Sequence, residues 1–236
     1  MTLRRELLKI DGHAIDVVVR LNPRARRLIV KVHPSTGEVT VVAPSRRAFG
    51  RALEFARGEA AWIAKRLAEV PKEVTLCDGS LVPYMGREHL IRLVPSASRP
   101  VCVATGSVLV VAGRPEHAPR RLLDFLKREA RRAVETKSHQ FARAIGARPG
   151  RITVRDTVSR WGSCSQSGSL SFSWRLILAP PQVLNYVVAH EVAHLREMNH
   201  GNGFWKIVRE LVGEIEQPQA WLRKHGAGLH RYAPRA

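Results

Sequence analysis

Short apolar runs of strand character dominate the first part of the chain. Residues 1–44 contain three such runs, separated by turn-forming residues: Ile15–Arg20, Arg27–Val32 and Glu38–Ala43. This pattern predicts a small antiparallel sheet. From Ser45 onwards, apolar residues recur every three to four positions and stop before Pro71, which predicts an amphipathic helix that caps the sheet.

Strand and helix patterns alternate again after residue 72. The predicted strands are Glu88–Val94, Pro100–Ala104, Ser107–Ala112, Ile152–Asp156 and Leu170–Leu178, and a helix is predicted over Pro119–Ile145. A further helix begins at Pro180-Pro181, and shorter ones follow at Phe204–Gly213 and Pro218–Lys224. No internal repeat is apparent. We expect an α+β fold with a β-rich N-terminal part over 1–115 and a second domain over 116–236.

The composition is that of a soluble globular protein. The 236 residues are 44% hydrophobic, which is enough apolar material for one or two packed domains. Three cysteines in so long a chain argue against a disulfide-stapled secreted module. The sequence shows no signal-peptide pattern, and apolar runs such as Val108–Ala112 are too short to span a bilayer. We expect a cytoplasmic protein with no membrane partner.

Positive charge is concentrated in the first two thirds of the chain. The formal net charge is +19, and residues 1–151 hold 29 basic against 14 acidic side chains. The densest run lies on the predicted helix 119–145: Arg120, Arg121, Lys127, Arg128, Arg131 and Arg132. Clustered cations attract phosphates, but this helix has few aromatic residues on which bases could stack. The run is therefore either a solvated basic face or a polyanion-binding surface.

The helix that begins at Pro180-Pro181 carries the strongest chemical signal. His190 and His194 are four residues apart, so both side chains project from one face and can reach one metal ion. Glu191 follows the first histidine and can take a proton from a water that attacks a polarised carbonyl or phosphoryl group. Zinc suits this chemistry, because it binds imidazole and lowers the pKa of a bound water to about 7.

A catalytic zinc usually has three protein ligands, so the two histidines need a third. His200 is one candidate, although in a continuous helix it would lie about 15 Å beyond His190 along the axis. The helix must therefore end between them, and Asn199, Gly201 and Gly203 tolerate the turn that would return His200 to the metal. The alternatives are two carboxylates of the next helix, Glu210 and Glu214.

Four stretches of the sequence together resemble the YgjP-like metallopeptidase family: Arg160–Cys164, Arg175–Pro180, Tyr186–His194, and Met198–His200 with Phe204-Trp205. That family is related to the SprT-like and WLM-type zincin domains. The resemblance implies a zincin-like minimal metalloprotease domain whose HExxH helix packs on a small sheet. It also implies a zinc-dependent hydrolase in which zinc is bound by His190, His194 and His200 and Glu191 is the general base.

Three further residues near these motifs have two interpretations each. Arg160 lies in a predicted loop between strands, where it either binds a substrate carboxylate or phosphate or anchors the loop to Asp156 or to helix carbonyls. Tyr186 precedes His190 by one turn, and its hydroxyl either approaches the site or packs in the core. Cys164 has no activating partner in the sequence, which favours a buried or loop thiol over a nucleophile or metal ligand.

Three functions remain open. The first is a zinc-dependent hydrolase that cleaves peptide bonds in peptides or proteins. The second uses the same site to hydrolyse a nucleotide phosphoanhydride, with Arg160 and the Arg-rich first part attracting the nucleotide, although the sequence has no Gly-rich phosphate loop. The third is a nucleic-acid-associated protein whose basic N-terminal part binds DNA or RNA.

Overall fold

The computed structural model describes residues 3–10, 13–33, 36–70, 72–95, 102–157 and 159–232. Its helices and small mixed sheets confirm the predicted α+β class. The chain divides into two compact units, Met1–Lys72 and Glu73–Ala236. The domain boundary placed after residue 115 stays a prediction. Within the described residues, no helix combines the length and apolarity needed to cross a membrane.

The first unit contains a four-stranded sheet. Its strands are β1 (Leu3–Ile10), β2 (His13–Leu21), β3 (Ile29–Val32) and β4 (Val39–Ala43), in the order β1-β2-β4-β3. The outer pairs β1–β2 and β3–β4 are antiparallel, but the central pair β2–β4 is parallel, so the prediction of an antiparallel sheet is wrong for this pair. The sheet is mixed because the chain passes from β2 to the far edge, forms β3 there, and returns as β4.

A break at Glu59 divides the predicted helix of the first unit in two. A short 3-10 turn at Arg46–Ala48 leads into α1 (Phe49–Gly58), and α2 (Ala60–Ala68) follows. Side chains from both helices and from the sheet form one buried cluster that includes Val17, Val19, Val39, Val41, Ala52, Ala56 and Ile63. The helices therefore cap the sheet, as the apolar spacing predicts.

The second unit begins with a sheet of the same topology. Its strands are β5 (Leu81–Tyr84), β6 (Arg87–Val94), β7 (Cys102–Thr105) and β8 (Val108–Ala112), in the order β5-β6-β8-β7. The central pair β6–β8 is again parallel, and the outer pairs are again antiparallel. The first two residues of the strand predicted at Pro100–Ala104 lie outside the described residues.

The long helix α3 (Ala118–Ala144) matches its predicted bounds closely. Its apolar positions form a buried stripe that includes Leu122, Leu126, Ala130, Val134 and Phe141. One core cluster joins this stripe to Leu109 and Val111 of β8 and to the buried residues of the helix that carries His190. The second sheet, α3 and that helix therefore share a single apolar core.

A small third sheet and three helices complete the second unit. The sheet contains β9 (Ile152–Arg155), β10 (Gly162–Cys164) and β11 (Leu170–Ser173) in the order β10-β11-β9. The helices are α4 (Pro181–Ala193), α5 (Asn202–Val212) and α6 (Glu216–His225). Since β11 lies in the middle, β10 and β9 are the two edge strands. β10 contacts α4, the helix with the HExxH motif.

Candidate metal centre

Apolar packing encloses α4 and positions the histidine pair. The helix begins directly after Pro180, and most of its side chains are buried, including Val183, Val187, Val188 and Val192. A helix that is apolar nearly all round is typical of one enclosed by other elements. Its last turn brings the ionisable side chains of His190 and Glu191 into this apolar setting, with His194 at the cap.

Three imidazoles meet at the end of α4. Ligand-capable atoms of His190, His194 and His200 all lie within 4.8 Å of one another. The Nε2 atoms of His190 and His200 are 3.2 Å apart. Two nitrogens bound to a tetrahedral zinc at about 2.0–2.1 Å are separated by about 3.3–3.4 Å, so this pair fits such a site. No second group of three His, Cys, Asp or Glu side chains with this proximity occurs among the described residues.

The chain turns sharply after α4 and so brings His200 back. The helix ends at Ala193, and the amides of Leu195 and Arg196 donate to carbonyls three residues earlier, each at 3.0 Å. Bonds of this type tighten a helix end into a 3-10 turn. The next helix begins only at Asn202. His200 therefore lies beside His190 rather than three turns beyond it.

Arg196 fastens this turn to the end of α3. Its Nε donates to the carbonyl of Ile145 at 3.1 Å, and its Nη2 donates to the carbonyl of Gly146 at 2.6 Å. The last carbonyls of a helix lack intrahelical partners and attract cations, so they are a natural anchor for a guanidinium. The anchor limits the movement of the segment that carries His194 and His200.

Two aromatic residues of α5 form an apolar wall beside the imidazoles. Phe204 is 0% exposed, and its ring centroid lies 4.9, 4.6 and 4.6 Å from those of His190, His194 and His200. The Trp205 ring lies 5.9 Å from the rings of His190 and His200. These contacts restrict the ring orientations and exclude water from one side of the cluster.

The surroundings keep two of the imidazoles neutral. Burial, followed by the charges of His194 and His200, lowers the pKa of His190 to about 4. Burial also lowers the pKa of His194, whose Nδ1–H donates to the carbonyl of Glu197 at 3.0 Å and leaves Nε2 with a free lone pair. Neutral imidazoles are the form that binds a metal. The three-nitrogen donor set therefore fits zinc.

Glu191 is buried next to the cluster. The residue is 7% exposed, and burial raises its pKa to about 7, against the lowering effects of the Arg160 charge and of a hydrogen bond from the Cys164 backbone. A Cβ atom added at Gly162 would lie 2.5 Å from Glu191 Cγ and 2.7 Å from its Oε1. Only glycine leaves room for the carboxyl group there, and the Cys164 amide orients it.

The free edge of β10 borders Glu191. In the pairing with β11, the Trp161 carbonyl accepts from Ser173 and the Ser165 amide donates to Ser169. Because backbone groups alternate in direction along an antiparallel strand, those of Gly162 and Cys164 point away from β11. The Cys164 hydrogen bond to Glu191 agrees with this direction. An exposed strand edge thus lies beside the carboxylate.

The structure shows the surroundings of two further candidates, Tyr186 and Cys164. Tyr186 is buried, and its hydroxyl accepts from Gln219 Nε2 at 3.0 Å while its ring meets that of His190 edge-on at 6.0 Å. Cys164 is half-buried, and burial followed by the charge of Glu191 raises the pKa of its thiol. A thiol of raised pKa is mostly protonated at neutral pH and is a poor nucleophile.

Arg160 is exposed, and Asp156 is bound by a different arginine. The buried guanidinium of Arg175 forms the ion pair with Asp156 and also donates to the Tyr232 carbonyl at 3.4 Å. Arg160 acts on the site through its charge, which lowers the pKa of Glu191. The anchoring contact considered for Arg160 is therefore made by Arg175.

The two carboxylates considered as alternative third ligands lie outside the cluster. Glu210 is exposed on α5 and pairs with Lys206 at 4.0 Å. Glu214 is exposed after the end of α5. Of the three candidates, His200 is the one that the structure brings to His190 and His194.

Three supporting residues escaped the sequence analysis. Gly162 makes room for Glu191, Arg196 anchors the turn after α4, and Gln219 holds the Tyr186 hydroxyl. Each acts through a partner 29 or more positions away in the sequence. Spacing along the chain does not predict contacts over such a distance. The glycine inside the Arg160–Cys164 stretch was the one available hint, since glycine permits a close approach.

Comparison with known proteins gives one match over most of the chain. The family model of the YgjP-like metallopeptidase domain matches residues 26–225. Among solved structures, the crystal structure of the metallopeptidase zymogen of Pyrococcus abyssi abylysin is similar over 39% of this chain and 92% of that chain, with 20% identity and a TM-score of 0.35. No curated protein matches.

Proposed function

The chain belongs to the family of YgjP-like metallopeptidase domains, and from this premise we propose that it is a zinc-dependent peptidase with Glu191 as its general base. One observation carries the proposal: ligand-capable atoms of three imidazoles converge within 4.8 Å of one another beside a buried carboxylate. A metal-dependent hydrolase needs this pair of features, a site with open coordination and a base next to it.

In this proposal His190, His194 and His200 hold the metal. Zinc bound there would supply a Lewis acid that polarises a substrate carbonyl and makes water acidic enough to react at neutral pH. The Phe204 wall keeps the three rings in place. The Glu197 carbonyl fixes the tautomer of His194, so that its Nε2 faces the site.

Glu191 moves the proton. Its carboxylate accepts a proton from the attacking water and later delivers it to the amine that leaves the cleaved bond. A base works best when its pKa lies near the working pH, and burial places the pKa of Glu191 at about 7 before a cation is bound. The Cys164 amide and the close approach of Gly162 hold the carboxyl group at one position for this task.

The free edge of β10 provides a place for an extended substrate. Its outward-facing groups that are not bound to Glu191, the Gly162 amide and the carbonyls of Gly162 and Cys164, can pair with a peptide backbone as another strand would. Pairing there lays the peptide beside Glu191. Arg160 is exposed at the start of this segment, and we assign to it the binding of a substrate carboxylate. Tyr186 acts indirectly, by packing on His190.

The experiment is a cleavage assay on a mixture of denatured proteins or synthetic peptides. Zinc-loaded wild type and Glu191→Gln are compared, and new peptide termini are identified by mass spectrometry. The proposal expects metal-dependent termini with the wild type and none with Glu191→Gln. Nucleoside triphosphates and inorganic pyrophosphate are assayed in parallel. Hydrolysis of these compounds without any peptide cleavage would replace the peptidase proposal by the phosphoanhydride one.

A further inference from the structure

A basic groove runs along α3 in the second unit. A cavity of about 450 Å³ lies between α3 and β9, where its charged lining residues are Asp124, Lys127, Arg128, Arg131, Arg155 and Asp156. A second cavity of about 410 Å³ shares Asp124 and Arg128 with the first and continues toward Arg120 and His117. We call these two cavities together the basic groove. None of the histidines or the glutamate of the metal centre lines it.

The charges in the basic groove do not cancel. Asp156 is bound by the buried Arg175, Arg131 pairs with Glu135 at 2.8 Å, and Asp124 lies 3.9 Å from Arg120. Three cations remain without a hydrogen-bonding or ionic partner among the described residues: Lys127, Arg128 and Arg155. The first cavity therefore carries an excess of positive charge with nothing to balance it.

A buried donor beside the same cavity also lacks an acceptor. Trp174 lines the first cavity and is 0% exposed, and its indole Nε1 has no hydrogen-bond partner. A buried donor left unsatisfied costs about 1–3 kcal/mol. An anionic oxygen in the cavity would meet the three free cations beside this ring.

The arrangement of the cations favours an extended polyanion over a single small anion. The cations of α3 lie on one stripe of the helix. Lys127 follows Arg120 by seven residues, and Arg131 follows Lys127 by four and Arg128 by three, which are spacings that place side chains on the same face of a helix. The twelve residues of helix from Arg120 to Arg131 are related by eleven steps of about 1.5 Å, which span about 16 Å. One strand of a nucleic-acid duplex places a phosphate about every 3.4 Å along its axis, so several phosphates can face this stripe.

We propose that the basic groove binds the phosphate backbone of double-stranded nucleic acid, without preference for sequence. The lining residues offer cations and no exposed Phe, Tyr or Trp ring, and Trp174 is too deeply buried to stack on a base. Recognition through phosphates alone suits a duplex, whereas proteins that hold single strands combine a basic track with aromatic stacking. The groove would give the enzyme a second ligand, separate from the substrate of the metal centre.

The test is binding of a short fluorescein-labelled DNA duplex to the full-length, zinc-loaded chain, followed by fluorescence anisotropy between about 50 and 200 mM salt. One variant replaces the three free cations of the groove: Lys127→Gln, Arg128→Gln and Arg155→Gln. A matched control removes the same charge at exposed positions that do not line the groove: Arg143→Gln, Arg148→Gln and Lys224→Gln. Circular-dichroism melting confirms that both variants fold.

We expect the groove variant to bind the duplex at least about tenfold more weakly at low salt, and its log–log salt slope to be shallower by about 2–3, since each phosphate contact contributes about 0.9. The affinity of the control variant for the duplex should stay within about threefold of the wild-type affinity, because diffuse charge acts weakly and is screened.

Equal weakening in the two variants would overturn the proposal, as would the absence of duplex binding by the wild type. Displacement of the duplex by poly-glutamate at equal charge would also overturn it, in favour of an acidic protein partner.

Discussion

The two four-stranded sheets have the same topology but serve different purposes. Each has a parallel central pair flanked by antiparallel edges, and each is followed by a 3-10 turn and a helix. In the first unit the helices α1 and α2 have 10 and 9 residues and close a core with their own sheet. In the second unit α3 has 27 residues and also contacts β9 and α4. The greater length of α3 thus lets it pack both on its own sheet and on the elements that carry the metal centre.

The strands of the two sheets also differ in which side chains they bury. β4 buries Val39, Val41 and Ala43, whereas β8 buries Leu109 and Val111. The Val41 and Val111 side chains have equivalent chemistry and are 0% and 1% exposed. Truncating each valine in turn therefore compares the support that each core gives to the metal centre. All of the proposed chemistry lies in the second unit, and the following changes test that division.

The largest effect is expected from Glu191→Gln. Removal of the base should lower the rate of peptide hydrolysis by about 10²–10⁴-fold, the usual contribution of a general base, while zinc content stays unchanged. Steady-state cleavage of an identified peptide measures the effect. Glu54→Gln, an equivalent change at an exposed position of α1, is the control and should have no effect. Wild-type activity in Glu191→Gln would remove the carboxylate from the mechanism.

Gly162→Ala should have the next largest effect. The added methyl would meet the Glu191 side chain at 2.5 Å, and the carboxyl group would have to move. A displacement of about 1 Å at a reacting group can cost about 100-fold in rate, so we expect a loss of about 10- to 100-fold with zinc still bound.

The matched control is Gly50→Ala in α1 of the first unit. A Cβ atom there meets nothing within 4 Å, so activity should be unchanged and the helix slightly stabilised, since alanine favours helix over glycine by about 1 kcal/mol. If the two alanine variants had the same activity, the contact between β10 and Glu191 would have no catalytic role.

The pair Val41→Ala and Val111→Ala tests the division of the core directly. Each change should cost about 1–3 kcal/mol in the unfolding of its own unit through lost apolar burial and a cavity. Hydrogen exchange read by mass spectrometry should show loosening of α4 in Val111→Ala, because Val111 shares a cluster with that helix. Val41→Ala should loosen residues 13–68 and leave α4 protected. Loosening of α4 in both variants would mean that the two cores are coupled.

The last expected effect is a pH dependence of stability in metal-free protein, with no change in the chemistry of the site. The raised pKa of Glu191, about 7 against an ordinary 4.5, means that the folded state favours the protonated carboxyl. The stability from this group is fully present below pH 4.5 and is lost as pH rises through 7. Relative to wild type, Glu191→Gln should therefore gain about 3 kcal/mol between these pH values. Urea unfolding at several pH values measures it, and a constant difference would contradict the burial argument.

The sequence predicted best where a pattern was long or chemically specific. α3 was expected over Pro119–Ile145 and spans Ala118–Ala144, because 27 residues of regular apolar spacing leave little choice. The sequence offered His200 as one of three candidate third ligands, beside Glu210 and Glu214, and the family resemblance implied His200. The roles given to these residues stay proposals, since their geometry alone does not measure catalysis.

The sequence predicted least where structure depends on distant pairing. The strand β1 and the short strands β5 and β10 were missed, and the parallel β2–β4 pair depends on a crossover that local propensity does not encode. The shared topology of the two sheets also escaped notice. The stretches Gly37–Ala43 and Gly106–Ala112 read GEVTVVA and GSVLVVA, but so short a similarity becomes meaningful only once both are seen in equivalent strands.

The most direct test of the account is the zinc content of three untagged proteins, purified without chelators or a nickel column and analysed by plasma mass spectrometry. The account predicts about one zinc per chain in the wild type and in Glu191→Gln, and little in His200→Ala, because a site with two imidazoles holds zinc weakly. Wild-type protein that stays free of zinc after zinc is supplied, or His200→Ala that retains it fully, would contradict the metal centre described here.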